Sequence, residues 1–300
     1  MKRLVLVALP GDEGERLDRF IAARGGISRG AARRAIDEGG VFLDGRRCKV
    51  AGKPIRGGYT VHVNLEEGGR APDPVEPLAR TRLLYADEHL VAIDKPSGVA
   101  AQATLTSDRG TLPELAADLL GAPVTLVHRL DRETSGVSVL ARTPEATYAL
   151  AEAFRAGLPE KTYLALCLRP PSPPEGRIEA AIGRDPRRKG LRQVSPGGDA
   201  AATRYRTLVV GHAALVEARP ETGRTHQIRV HLAHLGAPLL GDPKYGGPRM
   251  VGSVGVARVM LHAARLQLPH PVTGAPLVFE APVPADFAEL ATALECPLPK

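Results

Sequence analysis

HRLDRETSG, residues His128 to Gly136, places one carboxylate, Asp131, two residues after an arginine and directly before another. Glu133 adds a second acid. An aspartate in so basic a setting can be a structural ion pair, a metal ligand, a helix cap or a working nucleophile. The segment is not amphipathic, and TSG turns the chain sharply into an apolar strand, VSVLA. A tight turn just before a strand is well placed to project a side chain into a cleft. Nearby arginines favour the charged form of a carboxylate, the form a nucleophile needs. On these residues alone, the structural ion pair and the catalytic carboxylate both stand.

The rest of the chain narrows the setting. Its 300 residues suit one large domain or two unequal ones, and a 43% hydrophobic content supports a real core. No run approaches the roughly 20 apolar residues that span a bilayer. MKRLVLVALPGDEGERLD starts basic and apolar, but acids follow at once without a small-residue cleavage site, so it reads as a strand. Cys48, Cys167 and Cys296 are scattered and odd in number, which supports neither a disulfide framework nor a zinc knuckle and points to the reducing cytoplasm. Forty lysines and arginines against 33 acids suggest a polyanionic partner, nucleic acid first. Residues 15–60 carry 11 of those bases and 5 of the acids, so the excess is concentrated near the N-terminus.

In that basic region ERLDRFIAARGG has Leu17, Phe20 and Ile21 at helical spacing, and SRGAARRAIDEGG follows with Ser28 as N-cap. Ala31, Ala32, Ala35 and Ile36 form the apolar stripe of the second helix, with Arg29, Arg33 and Arg34 on another side. VFLDGRRCKV turns at Asp44-Gly45, and YTVHVNL alternates as a strand. Prolines 72, 74 and 77 mark a semi-rigid linker, so the expected organisation is a small α/β domain at 1–70, a linker at 71–80 and a larger domain at 81–300. In the larger part, LLYADEHLVAIDKPSGV reads as two strands around a turn, and TPEATYALAEAFRAG as a helix capped by Thr143 and Pro144. KTYLALCL is a strand, and THQIRVHLAHLG a helix with Ile228, Leu232 and Leu235 inward and Arg229 on the polar face. Strands and helices alternate without βαβ periodicity, which predicts an α+β fold with a mixed, largely antiparallel sheet.

Other chemistries lack an anchor. His226, His231 and His234 crowd one segment, but their spacing does not match HExxH and no cysteine or paired carboxylate completes a metal site. GRTHQIR and GDPKYGGP are not phosphate loops, so no cofactor is expected. No GxSxG supports a nucleophilic serine. Asp131 and Glu133 are too close in sequence to flank a glycosidic bond from opposite sides. The bases Arg187, Arg188 and Lys189 read as solvated surface.

At this point HRLDRETSGV resembles the signature of the RluA-type pseudouridine synthases, which isomerise uridines in ribosomal and transfer RNA. DEHLVAIDKPSGV, PEKTYLAL, DAAATRYR, RPETGRTHQIRVHLAHLGAPLLGDPKYGG and LHAARLQLPHPVTGAPLVFEAPVPADF resemble the family's other blocks, in order, over residues 81–287. RLDRFIAARGGISRGAARRAIDEGGVFLDGR resembles an S4 RNA-binding domain. After KPS the chain reads GVAAQAT, where many relatives carry a histidine. The resemblance implies the pseudouridine synthase fold behind an S4-like domain. It makes Asp131 the catalytic aspartate, Arg129 the arginine implicated in displacing the target base, Tyr163 the tyrosine against the uracil, and Arg224 the arginine that pairs with the aspartate. It gives Arg29, Arg33 and Arg34 a use, tracking RNA phosphates. The implied reaction breaks the C1′–N1 bond and rejoins uracil through C5, which needs no cofactor; attack at C1′ and removal of the C2′ proton are both open to the carboxylate. The implied protein is a cytoplasmic monomer with no membrane partner, acting on large-subunit ribosomal RNA, with transfer RNA and an inactive RNA-binding relative as the alternatives.

Overall fold

Strand signals at both ends of the first 65 residues close into one small sheet. The computed structural model describes residues 2–65, 76–103, 105, 107 and 109–299. Lys2–Val7 (β1), Val41–Leu43 (β2), Arg46–Arg47 (β3) and Thr60–Leu65 (β4) pair antiparallel in the order β1-β4-β2-β3. Asp44 and Gly45, both at positive φ, make the β2–β3 turn that the Asp-Gly pair predicts. Leu17–Gly25 (α1) and Arg29–Asp37 (α2) are nine residues each, too short to persist alone. Packing supplies the difference: Leu17, Phe20, Ile21 and Ile36 are fully buried with Val61 and Val63, at about 1.5–3 kcal/mol per large side chain. Ser28 Oγ accepts the Ala31 N–H at 3.1 Å, as an N-cap should.

The chain divides into two compact units, residues 1–77 with 102–115 and residues 78–101 with 116–300. Residues 66–75, with half of the expected linker, lie outside the described residues.

The larger unit is built on one mixed sheet. Its strands are Leu83–Ala86 (β5), Leu90–Lys95 (β6), Thr125–Leu126 (β7), Ser135–Ala141 (β8), Glu160–Cys167 (β9), Glu175–Glu179 (β10), Ala202–Val210 (β13), Ala214–Pro220 (β14), Leu261–Pro269 (β17) and Pro276–Glu280 (β18). Small ribbons are made by Ile182–Arg184 (β11) with Arg192–Val194 (β12) and by Met250–Val251 (β15) with Val254–Gly255 (β16). The main order is β10-β13-β14-β9-β17-β8-β6-β5, with β18 on β17 and β7 on β8. Every pairing is antiparallel except β17 with β8. The helices of this unit are Pro144–Arg155 (α4), Gln227–His234 (α5) and Ala285–Ala293 (α6), with the end of Leu112–Leu120 (α3), whose first four residues fall in the first unit. Helix α4 starts as predicted, with Thr143 Oγ1 accepting the Ala146 N–H at 3.1 Å. Strands β6 and β8 are buried throughout, which is why they read as apolar runs. Helix α5 packs Ile228 and Leu232 against β9, β14 and β17, while Phe287 and Leu290 of α6 join a separate core. The three cysteines are buried and free. Among the described residues no helix is long and apolar enough to cross a membrane.

Candidate active site

Strand β8 begins at Ser135, and the turn before it carries Asp131. The Thr134 N–H closes that turn on the Asp131 carbonyl at 3.1 Å. Upstream, His128 stacks on Phe154 with centroids 4.4 Å apart, and its Nε2 accepts the Val139 N–H at 2.9 Å. Burial, helped by the charge of Lys161, pushes this imidazole down to about 3, so it is neutral at pH 7 and acts as an anchor. Downstream, Gly136 has φ +112°, and a Cβ there would lie 2.2 Å from the Ala263 carbonyl oxygen. Only glycine fits where β8 meets β17.

The KPSG loop clamps the turn from the side. Lys95 is fully buried and donates to the carbonyls of Pro96 (3.0 Å), Val99 (2.9 Å) and Arg132 (3.2 Å). Burial pushes its ammonium down to about 7, against the pull of Asp131. Ser97 Oγ donates to the Glu133 carbonyl at 2.8 Å, the Gly98 N–H donates to the Arg132 carbonyl, and Arg132 Nε donates back to the Gly98 carbonyl. At about 0.5–1.5 kcal/mol each, these bonds offset much of the roughly 1–2 kcal/mol per residue that ordering a turn costs. The turn is therefore held by its backbone, and the Asp131 side chain is left for other work.

The other wall comes from α5. Arg229 donates from Nη1 to Asp131 Oδ2 at 3.1 Å and forks onto Asp242 through Nε (2.7 Å) and Nη2 (2.8 Å). Its guanidinium carbon sits 5.0 Å from the centre of the Tyr245 ring. Arg229 and Asp242 have side-chain exposures of 5% and 1%, against 20% for Asp131. Burial works against the charge of Arg229, and its two carboxylate partners more than offset that. The pair Arg229–Asp242 is thus a fixed base, and Asp131 is the partner that faces out.

His226, in the left-handed region at φ 60°, starts the helix with Nε2 3.9 Å from Asp131 Oδ2. Burial holds it below the ordinary imidazole value despite Asp131. The Tyr245 hydroxyl accepts the Arg192 N–H at 3.0 Å and lies 2.6 Å from His226 Nδ1. Tyr245 thereby fixes the imidazole ring through Nδ1 and leaves Nε2 on the Asp131 side. His231 is buried, with Nδ1 on Thr203 Oγ1 and Nε2 on the Ala180 carbonyl, both at 2.9 Å. The inward position of Tyr163 on β9 raises its phenol pKa, first by burial and then by the charge of Asp131. Its hydroxyl stays protonated. Arg129 is exposed beside the turn and has no hydrogen bond or ion pair among the described residues.

Two expectations need correction. Arg224 does not pair with Asp131: its Nε donates to the Ala200 carbonyl at 3.0 Å, and its N–H to Gln227 Oε1. Arg224 lies in the turn before α5 and is turned toward Ala200, whereas Arg229 is on the first turn of the helix, facing the Asp131 loop. Arg229 is also not on a solvated polar face, because Asp242 compensates its burial. GDPKYGG supplies both Asp242 and Tyr245, and the apolar register of Ile228 and Leu232 beside a lone arginine was the available sign.

In the N-terminal unit, Asp18 is fully buried and collects three arginines. Arg16 Nε reaches Oδ1 at 3.1 Å, while Arg29 Nε (3.0 Å) and Arg33 Nε (2.8 Å) reach Oδ2. Burial would raise this carboxyl, but the hydrogen bonds from Arg16, Arg33 and Arg29 win and hold it well below the usual carboxylate range. All three arginines remain about half exposed. Arg34 is exposed without a partner among the described residues.

The chain is similar to known RNA pseudouridine synthases. Residues 89–234 match the RNA pseudouridylate synthase family, and residues 15–61 match the S4 domain. An uncharacterised RNA pseudouridine synthase of Chloroflexus aurantiacus is 40% identical over 94% of this chain and 91% of its own length. The ribosomal large subunit pseudouridine synthase D of Xanthomonas campestris is 40% identical over 86% of this chain and 82% of its own. Among solved structures, the human RNA pseudouridylate synthase domain containing 4 matches with TM-score 0.62 and 30% identity, over 73% of this chain and 95% of that one.

Proposed function

Because the chain belongs to the RNA pseudouridylate synthase family, as an RluA-type RNA pseudouridine synthase with an S4 domain, we propose that it isomerises uridines of large-subunit ribosomal RNA with Asp131 as nucleophile. The observation that carries this reading is the ion pair between the outward Asp131 and the buried Arg229. Arg229 orients the carboxylate, and the Asp242 fork keeps Arg229 from moving with it.

In this reading Arg129 enters the stack as the target uridine flips out, at an unstacking cost of a few kcal/mol. Tyr163 packs against the uracil. Asp131 attacks C1′ as the C1′–N1 bond breaks, the uracil turns, and C5 bonds to C1′ as the carboxylate leaves. The proton on C5 is then lost and N1 gains one, so substrate and product are isomers. The protonated Tyr163 is a hydroxyl placed for that proton handling. Domain 1–70 holds the RNA through Arg29, Arg33 and Arg34 without reading bases. In this reading the working unit is a monomer in the cytoplasm.

The ribosomal target rests on the similarity to the ribosomal large subunit pseudouridine synthase D of Xanthomonas campestris. Both parts are tested with [5-³H]uridine-labelled RNA, because bonding at C5 releases tritium. Purified protein releases tritium from unmodified large-subunit ribosomal RNA and not from transfer RNA, and Asp131→Ala releases none. Release from transfer RNA alone overturns the target, and undiminished release by Asp131→Ala overturns the nucleophile.

A further inference from the structure

A cleft of about 420 Å³ lies beside the start of α5, lined by Arg184, Arg192 and Arg224 together with Gly197, Gly223 and Thr225. Arg184 of β11 and Arg192 of β12 stand directly opposite in the ribbon register. Like charges in that position destabilise a strand pair. Neither side chain has a hydrogen bond or ion pair among the described residues, although Asp199 also lines the cleft. An anion between them would turn the repulsion into attraction.

The backbone suits the same guest. The N–H groups of Gly223 and Thr225 have no acceptor among the described residues. A Cβ at Gly197 or Gly223 would meet nothing within 4 Å, so the wall there is bare backbone beside open space. Arg224 is steadied by the Ala200 carbonyl through Nε, which leaves its terminal nitrogens for the cleft. Convergent guanidinium groups and unpaired amides match the oxygens of a phosphate group.

The ribbon is also tied to the reacting carboxylate. Arg192 donates its N–H to the Tyr245 hydroxyl, Tyr245 meets His226, and His226 faces Asp131. Thr225, on the cleft wall, directly precedes His226. A phosphodiester seated here would therefore belong to the strand that carries the flipped nucleotide.

We infer that Arg184, Arg192 and Arg224 form a subsite for one backbone phosphate of the substrate RNA strand, near the target uridine. This rests on the reading of Asp131 as the reacting carboxylate for its location, and on the cleft for its chemistry. The role also accounts for an Arg224 that does not touch Asp131.

The test measures binding of a substrate ribosomal RNA fragment across a salt series. The double variant Arg184→Gln/Arg192→Gln binds about five- to tenfold more weakly at low salt, and the slope of log affinity against log salt shrinks by about 0.7, the share of one single-strand phosphate. Gly197→Asp, whose Cβ would meet nothing within 4 Å, adds a negative charge to the cleft without replacing an arginine and weakens binding in the same direction. Arg184→Lys/Arg192→Lys keeps the charge and retains the slope. Unchanged affinity and slope in both the double glutamine variant and Gly197→Asp would overturn the subsite. Thermal melts in inorganic phosphate separate the sources: if phosphate stabilises the wild type alone while the RNA slope is unchanged, the site takes free phosphate and the RNA assignment fails. Only binding is read, so a failure here leaves Asp131 untouched, whereas retained turnover by Asp131→Ala would overturn that role and leave the subsite standing.

Discussion

Arg-Leu-Asp-Arg occurs twice in this chain, at residues 16–19 and 129–132. Both leucines are buried, Leu17 completely and Leu130 at 5% exposure, so each tetrapeptide is pinned the same way. The aspartates are used in opposite senses. Asp18 is fully buried in the first turn of α1, and its arginine partners Arg16, Arg29 and Arg33 are half exposed. Asp131 is partly exposed in a turn, and its arginine partner Arg229 is buried. In each case the buried member is the fixed post and the exposed member faces outward. Under the proposed function, the first site offers bases to RNA and the second offers a carboxylate.

The comparison breaks first at the two acids. Asp131→Asn is expected to lower turnover by a factor on the order of 10³ or more while RNA binding persists. Asp18→Asn is expected to leave turnover at saturating RNA far above that level, because its hydrogen bonds go to Arg16, Arg29 and Arg33 and not to the Asp131 site. Substituting the fixed post of the second site comes next. Arg229→Lys keeps a charge but loses the fork onto Asp242 and the reach to Asp131, so kcat should fall about 10- to 100-fold with KM little changed. Chemical unfolding should show a loss of about 3 kcal/mol, since Asp242 is left buried without its partner.

The first site should respond in stability more than in rate. Asp18→Asn replaces the charged carboxylate that accepts from three arginines with a neutral amide, and a loss of about 2 kcal/mol is expected because the freed arginines can turn to water. RNA affinity should fall several-fold as those arginines lose their common anchor. The smallest effect is acid sensitivity. The folded pKa of Asp18 is depressed, so its stabilisation is complete above the unfolded value of about 3.9 and is lost as pH falls below it. A wild-type melt series from pH 6 to pH 3 should therefore decline more steeply than that of Asp18→Asn; parallel curves would show that the arginines do not stabilise the charged form.

Much of the local structure was legible in the sequence. Ser28 and Thr143 announced their helices through side-chain caps, Asp44-Gly45 announced its turn, and VSVLA announced a strand. Those signals act over a few residues. The site was legible only in part, because its decisive contact joins residues 98 apart. The register of Ile228 and Leu232 marks Arg229 only as an arginine on a packed helix; that it and not Arg224, five residues earlier, meets Asp131 depends on a turn on another strand. Asp242 is equally silent, since its function is to make a buried arginine tolerable. Composition alone also could not separate the two Arg-Leu-Asp-Arg segments, and the blocks surrounding the second one did.

The central claim is that the exposed carboxylate reacts and the buried one only holds. Single-turnover tritium release from one [5-³H]uridine-labelled ribosomal RNA, with Asp131→Asn and Asp18→Asn compared at saturating protein, tests it most directly. The account predicts no detectable release by Asp131→Asn and rapid release by Asp18→Asn; comparable rates for the two variants would contradict it.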